Sequence, residues 1–192
     1  MSRPQDFSLP INPRYGTHSV SWSDLVAIEQ NPKAWLEGKR LKSNQSMDFG
    51  TFVHAQIKHR HLTTVPVGNA PEKVYSAKIS NGKQSFTIIG KPDDTDEDTI
   101  YEYKSGLKLW NRKQAETHGQ LFTYALLKWK ATGKLPKKAL LISLETRYDE
   151  DCDGIVLTGK QVIHEVPITL KDVLKIQARF VKAVSTLSAL PR

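Results

Sequence analysis

The spacing of apolar residues changes several times along this chain, and each change marks a different kind of element. Residues 1–17 carry three prolines and no sustained period, so they read as an extended arm. Ser21-Trp22-Ser23-Asp24 then offers N-cap chemistry for a short helix over 21–28, and Asn31-Pro32 stops it and starts another through 36. Over 47–61, Phe49, Phe52, Val53, Gln56 and Ile57 fall on or near one helical face. From Lys73 the period becomes two. KVYSAKI, the turn Ser80-Asn81-Gly82-Lys83 and QSFTIIGKPD predict a hairpin, because Asn-Gly accepts the positive φ angles of a type I′ turn. A third strand follows over 99–105. Residues 109–131 predict one long helix, with Leu121, Tyr124, Ala125 and Lys128 at helical spacing and Gly133 just past its end. The apolar run 138–146 suits a sheet centre, and 155–157 with 162–166 predicts a hairpin. Thr169-Leu170-Lys171-Asp172 opens a last helix through 187.

Helices, three strands, a long helix, three strands and a helix make an α/β chain whose mixed central β-sheet is flanked by helices. We expect a single domain over 19–192 behind an arm over 1–18. The chain's 192 residues, 39% apolar and 25% charged, suffice for one sizeable core. No apolar run approaches the ~20 residues that cross a bilayer, and MSRPQDFSLPINPR lacks the apolar centre of a signal peptide. The expectation is a cytoplasmic protein without a membrane partner. Cys152 is the only cysteine, which excludes an intramolecular disulfide, cysteine-ligated zinc and an iron-sulfur cluster. Any metal must be held by oxygen and imidazole. Neither glycine-rich phosphate-loop pattern occurs, which argues against nucleotide-driven chemistry.

The formal net charge is +8, and its placement matters more than its sum. Residues 104–138 hold nine Lys or Arg against one acid, Glu116, the kind of surface a phosphate backbone requires. Lys108, Arg112 and Lys113 in that stretch, with Lys58 and Arg60 upstream, are the candidate DNA contacts. Trp110 stands between Lys108 and Arg112 and could stack on a base, although large aromatics are more often core. His59 and His61 have basic neighbours and read as surface or DNA-facing.

Against this background the stretch IIGKPDDTDEDTIYEYKSG, residues 88–106, is anomalous in its acids. Strand alternation puts Glu102 and Lys104 on one face and Tyr101 and Tyr103 on the other. Asp93 ends the preceding strand. If the two strands are neighbours, two carboxylates meet at one edge, where a hard cation such as Mg²⁺ relieves their repulsion. Lys104 is then placed to orient an attacking water or to neutralise charge on a phosphate. An acid two residues before a lysine is a cheap pattern by itself, and Glu37-Gly38-Lys39 also matches. Context separates the two, since Glu37 lies at a helix end without a preceding acid-bearing strand. Asp94, Asp96, Glu97 and Asp98 read most simply as a solvated turn.

Four short motifs occur in order: Gly50-Thr51-Phe52-Val53-His54, Gly90-Lys91-Pro92-Asp93, Glu102-Tyr103-Lys104, and Gln120 with Tyr124. Together they resemble the RecB-like branch of the PD-(D/E)XK nuclease superfamily, over about residues 19 to 125. The resemblance implies a restriction-endonuclease-like core and a Mg²⁺- or Mn²⁺-dependent deoxyribonuclease serving DNA repair, recombination or replication. His54, Asp93 and Glu102 would ligate the ion with the backbone carbonyl of Tyr103. Lys104 would assist the nucleophilic water, Gln120 would hold Lys104 or the substrate, and Tyr124 would lie near the scissile phosphate. Asn31 stands where iron-sulfur members carry cysteine, so the clusterless forms are the match. In related exonucleases the helices corresponding to 21–61 help enclose the strand, which implies a preference for single-stranded DNA with free ends. A non-catalytic DNA-binding or scaffold protein of the same fold, or the nuclease subunit of a helicase or recombinase complex, is the alternative.

Overall fold

The computed structural model describes residues 9–12, 14–38, 45–58, 64–80, 85–151 and 153–190. Its strands form two four-stranded mixed sheets. In the first, β1 (Ile11–Asn12) pairs antiparallel with β2 (Thr17–Val20), β2 runs parallel to β4 (Ser85–Gly90), and β4 pairs antiparallel with β3 (Tyr75–Ser80). In the second, β5 (Asp94–Thr95) is antiparallel to β6 (Thr99–Gly106), β6 is parallel to β7 (Lys138–Asp149), and β7 is antiparallel to β8 (Gly154–Pro167). The arm anticipated before residue 19 therefore ends in a hairpin joined to the first sheet. No helix among the described residues is long and apolar enough to cross a membrane.

Local chemistry accounts for the helix starts. Ser21 caps α1 (Trp22–Gln30) in a capping box with Asp24, Asn31 caps α2 (Pro32–Leu36) with Pro32 in its first turn, and Thr169 caps α6 (Leu170–Ser188) in a box with Asp172. The helix expected over 47–61 is α3 (Gln45–Lys58). The Asn81-Gly82 turn lies outside the described residues, but the strands on either side pair in register from Tyr75 with Gly90 to Ser80 with Ser85.

Three expectations are corrected. The single helix over 109–131 is two, α4 (Arg112–Glu116) and α5 (Gly119–Thr132), with His118 at the N-cap of the second. At the break, α5 starts against Trp22 of α1, so closely that a Cβ on Gly119 would collide with the indole. The hairpin expected over 155–166 is one continuous strand. Thr158-Gly159-Lys160 bulges where the β7 register shifts between Leu144 and Thr146, and Gly159 supplies the positive φ of +85°. The acidic stretch is not uniformly solvated. Asp94 is 3% exposed and accepts from the backbone N–H groups of Gly68, Ala70 and Thr95. Asp96 accepts from the N–H groups of Asp98 and Thr99 and from the Tyr101 hydroxyl. Only Glu97 and Asp98 point to solvent, paired with Lys134 and Lys137.

Helix α5 packs in the main core beside α6, where Leu121, Leu126, Leu127 and Phe180 meet Ile88, Ile100 and Leu141 of the strands. Helix α3 covers the other face of β6 and β7 through Val53, Ile57, Tyr101, Tyr103 and Ile142. Alternation along β6 thus sends its tyrosines toward α3 and leaves Glu102 and Lys104 on the α5 side. Trp35 is buried, and Trp22, Trp110 and Trp129 pack against the main core, in keeping with the structural role of most large aromatics.

Candidate active site

The site exists because β5 is only two residues long. Among the described residues no strand pairs with this edge of β6 beyond Tyr101, and side chains take over its backbone groups. Asp93 accepts the Tyr103 N–H through Oδ2 at 2.8 Å, while His54 on α3 donates from Nε2 to the Tyr103 carbonyl at 2.9 Å. His54 Nδ1 lies 3.1 Å from Asp93 Oδ1. Both imidazole nitrogens therefore face acceptors, an arrangement that favours the doubly protonated ring. Burial alone would lower the His54 pKa, but the hydrogen bond and charge of Asp93, with Glu102 behind, hold it above its usual value.

On the α5 side of the strand, Lys104 Nζ donates to Glu102 Oε1 at 2.6 Å and to Gln120 Oε1 at 3.0 Å. Gln120 Nε2 donates to the Tyr124 hydroxyl at 2.6 Å. His118 completes the set, donating from Nε2 to the same Gln120 oxygen at 3.0 Å. Its ring stands edge-on to Trp110 with centroids 4.8 Å apart. Burial and the Lys104 charge push His118 down to about 4, so it remains a neutral donor at neutral pH. Two donors on one oxygen and an acceptor at the nitrogen fix the amide of Gln120 in one orientation. His118 belongs to none of the four motifs, and with 109–131 read as one helix nothing in the sequence singled it out. Gly90 matters for space, since a Cβ there would sit 2.8 Å from Leu127 Cδ1 and 2.9 Å from Tyr124 Cε1.

Glu102 is a carboxyl held in an unfavourable place for its charge. It is 1% exposed, and its Oε2 is buried without a hydrogen-bond partner among the described residues. Burial first, then the Asp93 charge, push its pKa up to about 7. The burial of Lys104 would lower its own pKa, yet the Glu102 charge holds it above the ordinary value. Of the two, the carboxyl is the group displaced toward neutrality, because only one of its oxygens has a donor.

These groups line an open cleft of about 570 Å³ that also reaches Gly50, Thr51, Lys91 and Arg14. A smaller hollow of about 290 Å³ between α1 and α6 contains the surface pair Arg179–Glu29 and no comparable chemistry. Of the sequence-selected residues, His54, Asp93, Glu102, Tyr103, Lys104, Gln120 and Tyr124 all line the cleft. Lys108, Arg112 and Lys113 do not; they are exposed on the approach to α4 and in its first turn, and Arg112 pairs with Glu116 at 2.6 Å. Arg60 and the side chain of Lys58 lie outside the described residues.

Among the described residues no group of three His, Cys, Asp or Glu side chains is gathered as a ready ligand set. Instead, His54 closes on Asp93 and the Tyr103 carbonyl, and Glu102 on Lys104. The donors nevertheless fit a hard divalent ion: an imidazole, a carbonyl and two carboxylates, of which Glu102 Oε2 is buried without a partner among the described residues.

The two raised pKa values carry a common sign. Glu102 binds its proton more tightly folded than unfolded, so its contribution to stability is present below about 4.5 and lost as pH rises toward about 7. His54 contributes below its unfolded value of 6.5 and loses that contribution as pH rises through its higher folded value. In EDTA the melting temperature should therefore fall between about pH 5 and pH 8, and Glu102→Gln should flatten that fall. A wild-type profile that is flat or rising over this range would contradict both shifts.

No family model matches the sequence, and no curated protein matches it. Solved structures do share its fold. The protein SSO0001 aligns at 13% identity over 90% of this chain and 78% of its own, with a TM-score of 0.58. A candidate exonuclease from Eubacterium rectale aligns at 8% identity over 91% of this chain and 83% of its own, with a TM-score of 0.56. At such identities the likeness is one of architecture. The chain has a mixed α/β fold that these structures share, and its second sheet carries the cleft at its β6 edge.

Proposed function

We propose that the protein is a metal-dependent deoxyribonuclease of the RecB-like kind, hydrolysing phosphodiester bonds from the ends of single-stranded DNA. One juxtaposition carries this reading: Lys104, held between Glu102 and Gln120, faces the same cleft as Asp93 and an unsatisfied buried oxygen of Glu102. The name of the Eubacterium rectale protein agrees with it.

His54, Asp93, Glu102 and the Tyr103 carbonyl would hold Mg²⁺ or Mn²⁺. When bound, such an ion supplies polarisation of a phosphoryl oxygen and a more acidic water. The remaining work belongs to the chain. Lys104 has three N–H donors, of which two are engaged by Glu102 and Gln120, so the third can orient a water or meet charge developing on the phosphate. Gln120 prevents the ammonium from swinging away. The Tyr124 hydroxyl accepts from Gln120 and keeps its own proton, because burial and the Glu102 charge hold its pKa well above the usual value. It can donate to a non-bridging oxygen. Exposed Lys108, Arg112 and Lys113 would hold the strand outside the cleft, with little sequence preference.

The deciding experiment incubates end-labelled linear single strands, linear duplex and circular single strands of matched sequence with the protein, with Mn²⁺, Mg²⁺ or EDTA. Loss of the linear single strand only with a divalent ion, and survival of the circle, is expected. Circle nicking at the rate of linear loss would make it an endonuclease. Binding without cleavage under every condition would leave a DNA-binding protein.

A further inference from the structure

The cleft includes a cation that no motif contains. Arg14 lies in the turn between β1 and β2, is exposed, and reaches the same cleft as Glu102 and Lys104. The other cleft cations are already spent: Lys104 on Glu102 at 2.6 Å, His54 on Asp93 at 3.1 Å, and Lys91 on Glu72 at 3.0 Å. Arg14 has no ion pair with any described residue; its guanidinium lies over the neighbouring Tyr15 ring at 5.6 Å.

The turn that carries it is heavily anchored. Tyr15 and Gly16 donate their N–H groups to the Asn12 carbonyl at 3.1 and 2.7 Å, and Arg14 donates its own to Asn12 Oδ1 at 3.1 Å. Gly16 supplies the positive φ of +64° that lets the chain reverse. Asn12, 2% exposed, then donates from Nδ2 to Asp24 Oδ2 at 2.6 Å. Asp24 is itself 4% exposed and also accepts from Ser21 N, Ser21 Oγ and Trp35 Nε1 at 3.0, 2.6 and 2.9 Å. Four donors on this carboxylate offset the cost of burying it. Its hub ties the hairpin turn to α1 and α2, so Arg14 stands on a rigid mount rather than at the end of a loose arm.

We infer that Arg14 is an anion-binding point of the cleft that takes a backbone phosphate of the bound DNA strand. The inference rests on the nuclease reading for the identity of the anion. A guanidinium presents a planar fork that matches two phosphate oxygens, which an ammonium cannot reproduce. Because the contact is to the backbone, it strengthens binding of every sequence alike. It also adds positive charge to a cleft that holds two carboxylates.

The test measures binding of a fluorescent oligothymidylate to wild type, Arg14→Ala, Arg14→Lys and Asn12→Ala across a salt series in Ca²⁺, with KM and kcat for cleavage in Mn²⁺. Arg14→Ala should weaken binding about tenfold and lower the salt slope by about 0.7, raising KM while kcat holds. Arg14→Lys should keep the slope and recover part of the affinity. Asn12→Ala, which unties the turn without changing charge, should raise KM in the same direction. Wild-type affinity and slope in Arg14→Ala, with the wild type itself binding DNA, would overturn this inference and leave the nuclease reading intact. A wild type that binds no DNA overturns both.

Discussion

Lys104→Ala should lower turnover of single-stranded DNA by at least about 10²-fold while the affinity for the strand stays within a few-fold of wild type. The asymmetry follows from the geometry. Lys104 is paired with Glu102 at 2.6 Å and with Gln120 at 3.0 Å, so its charge is largely committed inside the cleft and adds little to the field an approaching strand meets. Its remaining N–H is the only part directed at chemistry. The substitution also removes the donor on Glu102 Oε1, leaving a 1% exposed carboxyl with neither oxygen hydrogen-bonded to that lysine. Breaking a buried pair by deleting one partner costs about 3 to 5 kcal/mol unless the survivor is neutralised. Glu102, already raised toward neutrality by burial and Asp93, can take up a proton and absorb part of that cost. The variant should remain folded by circular dichroism. Cleavage at the wild-type rate would make Lys104 a structural partner of Glu102 and nothing more.

The second large effect is expected from Asp93→Asn combined with Glu102→Gln. Both substitutions keep shape and remove charge, so they separate ligand chemistry from packing. In wild type, Mn²⁺ at a hundred times its Kd should stabilise the folded chain by about 2.7 kcal/mol through linkage, a rise in melting temperature of roughly 5 to 10 °C for a chain of this size. In the double variant that rise should vanish, together with cleavage. Asp93 has a second job, accepting the Tyr103 N–H at 2.8 Å, and the amide oxygen introduced by Asp93→Asn would retain an acceptor for it. The metal-free double variant is relieved of the repulsion between two carboxylates but loses the charged partners of Lys104 and His54, so the readout is the Mn²⁺-induced rise in each protein and not its metal-free melting temperature. Equal stabilisation by Mn²⁺ in both proteins would remove Asp93 and Glu102 from the ligand set.

The local and the long-range parts of this molecule divide along physical lines. Helix starts at Ser21, Asn31 and Thr169 follow from side-chain oxygens meeting N–H groups three residues away, an interaction wholly contained in the local sequence. Period-two alternation likewise sufficed to put Glu102 and Lys104 on one face of β6 and the tyrosines on the other, as the two packing clusters show. The order of the four motifs led to the residues that line the cleft. What the local pattern could not contain was every feature decided by a distant partner. Where the stretch 109–131 divides into two helices, Gly119 packs against Trp22, nearly a hundred residues earlier. The apparent turn at Gly159 becomes a bulge because β7 offers a continuous edge to pair with. Asp94 is buried because the N–H groups of Gly68 and Ala70 converge on it. His118 and Arg14 reach their places through the helix break and through the Asp24 hub respectively, neither of which has a periodic signature. The sequence by itself determined where helices start and which face of β6 each residue takes, since both depend on neighbours a few positions away. Only the tertiary structure decided that a two-residue β5 leaves the β6 edge bare at Tyr103, so that Asp93 and His54 close on it from elements remote in sequence.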